Sequence, residues 1–286
     1  MIMKTYQLGM YEKAVPRSLK WEEKMIAAKE AGYDYIEISI DETEEKLSRL
    51  NWNTEERSHF LGLQKKMKMP VTSMCLSGHR KYPLGSLNEE IRKRSLDIME
   101  KAILLANDLG IRMIQLAGYD VYYEKSSKES KQWFEINLRK SVEIASKYGI
   151  LLGFETMETP FMNTVEKAMN YVDKIQSPYL HVYPDLGNLT NAALQYGMNV
   201  TDDLLLGKGH CLAMHLKETK PGIFREVPFG EGHVDFDKGI QTAYQMGVRR
   251  YVTEFWHIDD DSQWQHKLNQ VCILFKSKLD EVERKC

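Results

Sequence analysis

The chain has no run of the roughly 20 apolar residues that a helix needs to cross a bilayer. Its N-terminus, MIMKTYQLGM, has no charged segment followed by an apolar stretch. Neither a membrane-spanning helix nor a secretory leader is expected. An excess of one charge is also missing: 39 Lys and Arg face 41 Asp and Glu, a net charge of −2. Such a chain offers no overall field for a nucleic-acid backbone or an anionic membrane. Cysteine is scarce, and Cys75, Cys211, Cys272 and Cys286 show no paired CxxC spacing. They read as free thiols in a reducing cytoplasm, with Cys75 and Cys211 as small hydrophobes inside strand-like runs. No Pro/Gly/Ser-rich linker, charge block or low-complexity tract divides the 286 residues. One domain spanning 1–286 is expected, a length that suits a single α/β barrel.

What is present is an alternation. Short apolar runs occur at YQLGMY near Tyr6, YIEISI from Tyr35, VTSMCL from Val71 and RMIQLAG from Arg112. They continue with LLGFETM from Leu151, LHVYPDLG from Leu180, CLAMHLKE from Cys211 and YVTEFW from Tyr251. Each suits a strand buried on both faces of a parallel sheet. Amphipathic stretches lie between them. One begins on Ser18, read as an N-cap, and ends at Gly32; another runs from Asn88 to Gly110; others end at Gly149 and Gly247. A polar cap at the start and a glycine shortly before the next apolar run mark the αβ connections of a parallel barrel. About eight such units in succession predict a single (β/α)8 TIM barrel. A doubly wound open sheet would normally show a Gly-rich phosphate turn after its first strand, and GMYEKAVP is not one.

In a barrel of this kind, chemistry sits at the C-terminal ends of the strands. Four successive runs place a potential ligand there: Glu155, Asp185, His215 and Glu254. Each alone has a plain explanation. Glu155 and Glu254 could be ion-pair partners, Asp185 could cap a turn, and His215 could be a hydrogen-bonded core histidine. Together they are harder to dismiss, because three carboxylates crowded on one rim repel one another unless a cation neutralises them. One imidazole and three carboxylates suit a single divalent ion, Mn²⁺ or Zn²⁺, with Co²⁺ as a further candidate. Such a metal can hold the adjacent oxygens of an α-hydroxy ketone while one Glu removes a carbon-bound proton and the other returns one. The outcome is epimerisation if the two carboxylates flank opposite faces of a cis-enediolate, and aldose–ketose isomerisation if the proton moves between carbons. His59, His181 and His266 fall away from this rim.

These residues resemble the xylose-isomerase-like barrel superfamily. Nearly the whole chain from about Thr5 is similar to its L-ribulose-5-phosphate 3-epimerase branch, also known by L-xylulose 5-phosphate. The matching stretches are LGMYEKAVP, ISIDETEEKLSRLNW, SMCLSGHRKYPLGS, IQLAGYDVYY, VYPDLGNL, HLKETKPGIF, VPFGEGHVDF and the TEFW strand. DETEEKLSRLNW, LAGYDVYY and KETKPG with VPFGEG mark the branch itself. The resemblance implies one divalent metal on Glu155, Asp185, His215 and Glu254, with Glu155 and Glu254 as the acid–base pair that inverts carbon 3. It implies that Glu158, three residues after the first metal Glu, touches substrate. Related free-ketose epimerases carry a His three residues after the metal Asp; here Asn188 stands in that place, so an amide must make the contact.

The substrate's phosphate needs donors. His79, Arg80 and Lys81 follow the third apolar run, and Lys217, Lys220 and Arg225 follow the seventh. Arg and Lys near a substrate rim suit a phosphate. Lys217 alternates with His215 along a strand, so both should face the same way. The expected reaction is the interconversion of L-xylulose 5-phosphate and L-ribulose 5-phosphate in the cytoplasm, within the breakdown of L-ascorbate or a related sugar acid. Barrels of this family often form homodimers, and the resemblance carries that expectation. An isomerase of another sugar phosphate, such as a hexulose 6-phosphate, would use similar ligands. A barrel that binds sugar phosphate without catalysis should have lost a metal carboxylate. A repair endonuclease on the same fold should show more rim histidines and a basic face.

Overall fold

The computed structural model describes residues 4–258 and 262–285. Its strands are β1 (Gln7–Tyr11), β2 (Tyr35–Ile40), β3 (Val71–Leu76), β4 (Met113–Ala117), β5 (Leu151–Glu155), β6 (Leu180–Tyr183), β7 (Met214–Leu216) and β8 (Arg250–Thr253). They form one eight-stranded sheet in the order β6-β5-β4-β3-β2-β1-β8-β7. Every registered pair is parallel. All eight fall on the apolar runs of the sequence.

The chain folds as two compact units interleaved in sequence. The first comprises Met1–Glu37, Leu63–Val71 and Tyr183–Cys286, and the second comprises Ile38–Gly62 and Thr72–Val182. In the first, β1 lies between β2 and β8, with Met10 opposite Ile36 on one side and Thr253 on the other. β7 continues that sheet, pairing His215 with Val252. A further parallel bridge joins Asp185, just beyond β6, to His215. In the second unit β4 is central, with Gln115 opposite both Cys75 and Gly153, and Ala117 opposite Glu155. The strand interiors are almost wholly buried, as apolar runs without alternation require.

Local chemistry sets the helix ends. The helix Glu89–Leu109 starts where the Asn88 side chain accepts from the Glu90 and Ile91 amides. It stops at Gly110, whose φ of 76° lets the chain turn into the left-handed region and return towards β4. Gly149 closes the helix Lys128–Tyr148 in the same way before β5. One sequence expectation needs correction. Ser18 does not cap the first helix, which spans Trp21–Ala31 with Lys20 at the N-cap position. There the Glu23 side chain accepts from the Lys20 amide, the carboxylate half of a capping box. Likewise, the helix Phe236–Gln245 ends on Met246, one residue before Gly247. Among the described residues, no helix is long and apolar enough to cross a membrane.

Candidate metal and substrate site

Each polar residue lies within, at the end of or just past its strand. In the first unit, Asp185 is the N-cap of the helix Leu186–Tyr196, where its Oδ1 accepts from the Asn188 amide at 2.6 Å. His215 lies within β7 and Glu254 directly follows β8, its amide bonded to the Leu216 carbonyl. All three are buried. His215 Nδ1 stands 3.1 Å from Glu254 Oε2 and 4.0 Å from Asp185 Oδ2. The ammonium of Lys217 is also buried, 3.1 Å from Asp185 Oδ2 and 3.5 Å from Glu254 Oε2. Its alternation with His215 along the strand has this result. Burial works to raise the Glu254 carboxyl, but the positive charge of Lys217 and the adjoining His215 outweigh it. Glu254 is held well below the ordinary carboxylate range.

The opening at this end is shaped by backbone approach. A Cβ on Gly187 would meet the Lys217 carbonyl at 2.6 Å, so only glycine lets the helix start beside the strand. The FGEG loop closes over Glu218, whose carboxylate accepts from the amides of Thr219, Gly230 and Val234.

In the second unit, Glu155 ends β5 and is hydrogen-bonded by the Gln115 side-chain amide from β4. Glu158 lies beyond the strand, where Tyr119 O–H donates to Oε2 at 2.6 Å and Tyr122 O–H to Oε1 at 3.3 Å. Burial above all, with Glu158 adding to it, pushes the Tyr119 hydroxyl well above its ordinary value, so it stays a donor. The Arg80 guanidinium lies over the Tyr119 and Tyr122 rings, 5.9 and 4.9 Å from their centres.

In the first unit, Asp185, His215 and Glu254 each offer one ligand atom, and these atoms lie within 4.8 Å of one another. They are buried, as is Glu155 of the second unit. Two carboxylates and one imidazole at that spacing, away from solvent, form a donor set that fits a divalent cation.

Residues 25–271 match the family described as xylose isomerase-like TIM barrel. The chain belongs to that family. Over 257 residues, 90% of its length, this xylose isomerase-like barrel is 44% identical to the L-ribulose-5-phosphate 3-epimerase UlaE of Shigella boydii serotype 18, covering 89% of that protein. The L-ribulose-5-phosphate 3-epimerase UlaE of Escherichia coli strain 55989 matches with the same figures. Among solved structures, an L-ribulose 3-epimerase superposes with a TM-score of 0.78, 14% identity and coverage of 98% of this chain and 96% of that one. A D-tagatose 3-epimerase-like protein gives 0.77, 18% identity, and 98% and 99% coverage. At those identities the structural likeness speaks for the barrel fold alone.

The remaining residues singled out from the sequence are placed as follows. Asn188 is buried in the first turn of its helix beside Asp185. His79 is buried, and its Nε2 meets the Ser95 carbonyl at 3.1 Å. Burial lowers this imidazole to about 4, so it is neutral at physiological pH and carries no charge for an anion. Lys220 is half-buried and 3.7 Å from Glu231, and Arg225 is half-buried in the following loop. Sequence reasoning missed several members of this barrel's polar interior. Tyr119 and Tyr122 clasp Glu158, Gln115 holds Glu155, and Glu37 in the middle of β2 meets His215 Nε2 at 2.7 Å. Glu37 had a legible signal, since a carboxylate inside the apolar run YIEISI must have a buried partner.

Proposed function

We propose that this protein is a metal-dependent sugar-phosphate 3-epimerase that interconverts L-xylulose 5-phosphate and L-ribulose 5-phosphate. The observation that carries the reading is the buried group Asp185, His215 and Glu254 at ligand spacing, in a chain 44% identical to L-ribulose-5-phosphate 3-epimerases across 90% of its length. These three, with Glu155, would hold one divalent ion, Mn²⁺ or Zn²⁺ with Co²⁺ as the further candidate. When bound, it supplies a Lewis acid that stabilises negative charge developing on the substrate's neighbouring oxygens.

The chain's own residues do the rest. Glu155 and Glu254 remove and return the proton at carbon 3 from opposite faces, which inverts that centre. Glu158, kept in place by two tyrosine hydroxyls, and the Asn188 amide orient the sugar hydroxyls. Lys217, whose ammonium meets the Asp185 and Glu254 carboxylates, would reach the substrate's oxygens. Arg80, Lys220 and Arg225 supply charge for the phosphate, and His79 supports the loop that carries Arg80 as a neutral group. A single domain over 1–286, assembly as a homodimer, a cytoplasmic location and a role in the breakdown of L-ascorbate or a related sugar acid complete the proposal.

Proton NMR in deuterated water with each pentulose 5-phosphate tests it. Exchange at C3 accompanied by interconversion is expected. Exchange at C1, or none in metal-loaded protein, would overturn the assignment. Glu155→Gln and Glu254→Gln should each abolish C3 exchange; near-normal turnover in either removes that residue from the mechanism.

A further inference from the structure

His215 is fully buried, and its two ring nitrogens face different carboxylates. Nε2 is 2.7 Å from Glu37 Oε1, whereas Nδ1 points to Glu254 and Asp185. A neutral imidazole carries its proton on one nitrogen only. Both nitrogens face a carboxylate oxygen, and the Glu37 contact is the shorter, 2.7 Å against 3.1 Å to Glu254 Oε2. With a proton on Nε2, the Glu37 contact is a short charge-assisted hydrogen bond. Nδ1 donates to Glu254 in the metal-free site, and it is the nitrogen whose lone pair a cation held by Asp185 and Glu254 would take.

Glu37 is itself fixed. It is fully buried in β2, and its second oxygen, Oε2, accepts from the Tyr183 hydroxyl at 2.8 Å. The Tyr183 ring also packs edge-on against His215, with ring centres 4.9 Å apart at 71°. The Tyr11 ring is a further neighbour, its centre 6.3 Å from that of the imidazole. Glu37 and Tyr183 thus brace the imidazole by hydrogen bond and by packing.

We propose that Glu37, held by Tyr183, sets the tautomer of His215 and presents its Nδ1 as the nitrogen that binds the divalent cation. Glu37 is a positioning residue that touches neither metal nor substrate. The inference rests on the metal reading above and adds to it the residue on which the imidazole's ligating power depends.

The test uses full-length protein stripped of metal by chelation. Mn²⁺ is titrated in and the free ion is followed by electron paramagnetic resonance. Wild type should bind one Mn²⁺ per chain, and Glu37→Gln, close in shape but uncharged, should bind it about ten- to a hundredfold more weakly. Tyr183→Phe should weaken it by a few-fold. A long-range ¹H–¹⁵N correlation on Zn²⁺-loaded wild type, with His215 identified by the signal lost in His215→Gln, should show a protonated Nε2 and a proton-free Nδ1. Glu37→Gln should shift the Nε2 resonance, which a change in fold stability alone would not do. Equal Mn²⁺ affinity in Glu37→Gln, or a protonated Nδ1 in Zn²⁺-loaded wild type, would overturn the proposal. Wild type that takes up no Mn²⁺, Zn²⁺ or Co²⁺ would instead overturn the metal reading on which it stands.

Discussion

Lys217 offers the sharpest quantitative test of the site's electrostatics. Lys217 is 4% exposed, and its ammonium faces Asp185 Oδ2 at 3.1 Å and Glu254 Oε2 at 3.5 Å. In Lys217→Met the apolar stem is kept and the charge removed. With an effective dielectric of about 20, each of those contacts is worth about 5 kcal/mol of gross Coulomb attraction. Most of this is offset by the cost of burying the ammonium, but deleting one partner strands the others. Breaking a buried pair in that way typically costs about 3–5 kcal/mol. For 286 residues, an unfolding entropy of about 2.1 cal/mol/K per residue turns this into a fall of about 5–8 °C in Tm. The assay is thermal unfolding of chelated wild type and variant, repeated with saturating Mn²⁺. In the chelated proteins the full difference should appear. With metal it should shrink, because the cation supplies the charge that Lys217 no longer does. A difference below about 1 °C without metal would refute the view that Lys217 neutralises this site.

Three further outcomes are expected. His79 is held at about 4 in the fold, by burial, against 6.5 when exposed. Between those values the unfolded chain takes up a proton that the folded one does not, so stability rises with pH from 4 to 6.5 and is flat above. At pH 5 this costs about 2 kcal/mol relative to pH 7.5; urea unfolding of His79→Gln should show a shallower acid slope, and an unchanged slope would dismiss the residue as its source. Tyr119→Phe removes the 2.6 Å donation to Glu158. If Glu158 orients the sugar, KM should rise several-fold with kcat less affected, and steady-state kinetics on both pentulose 5-phosphates decide it. In Gly118→Ala the new Cβ would stand 2.6 Å from the Glu155 carbonyl and 2.9 Å from Met162 Sδ. The carbonyl cannot yield without moving Glu155, so C3 exchange should fall on the order of a hundredfold, and exchange within twofold of wild type would show that the strand end tolerates the shift.

The strands were legible because a two-sided parallel sheet writes itself as uninterrupted apolar runs, and all eight coincide with them. Helix starts were less so. Ser18 looks like a cap, yet the Trp21–Ala31 helix begins two residues later, with Glu23 serving the Lys20 amide. Capping geometry depends on where the preceding loop leaves the chain, and local residue type does not fix that. The four candidate ligands were readable for a topological reason. In a parallel barrel every strand ends on the same rim, so one polar residue at each of four strand ends implies that they can meet.

The same rule explains what stayed hidden. Glu37 lies in the middle of β2, not at its end, so a search of strand ends passes over it. Tyr119 and Tyr122 lie in a loop, and nothing in their spacing from Glu158 announces a contact. His79 shows the reverse failure. Beside Arg80 and Lys81 it reads as one of a basic trio, yet the fold turns its ring inward to the Ser95 carbonyl and strips it of charge. Strand-end position therefore predicts well which side chains reach a strand's C-terminal end, because the backbone alone puts them there. It predicts poorly the groups that hold those residues in place, because these act from inside the barrel, through side-chain length and hydrogen bonding. A buried carboxylate within an apolar strand is the sequence mark of that second set. Glu37 carries it, and the partner such a residue must have is here the imidazole of His215.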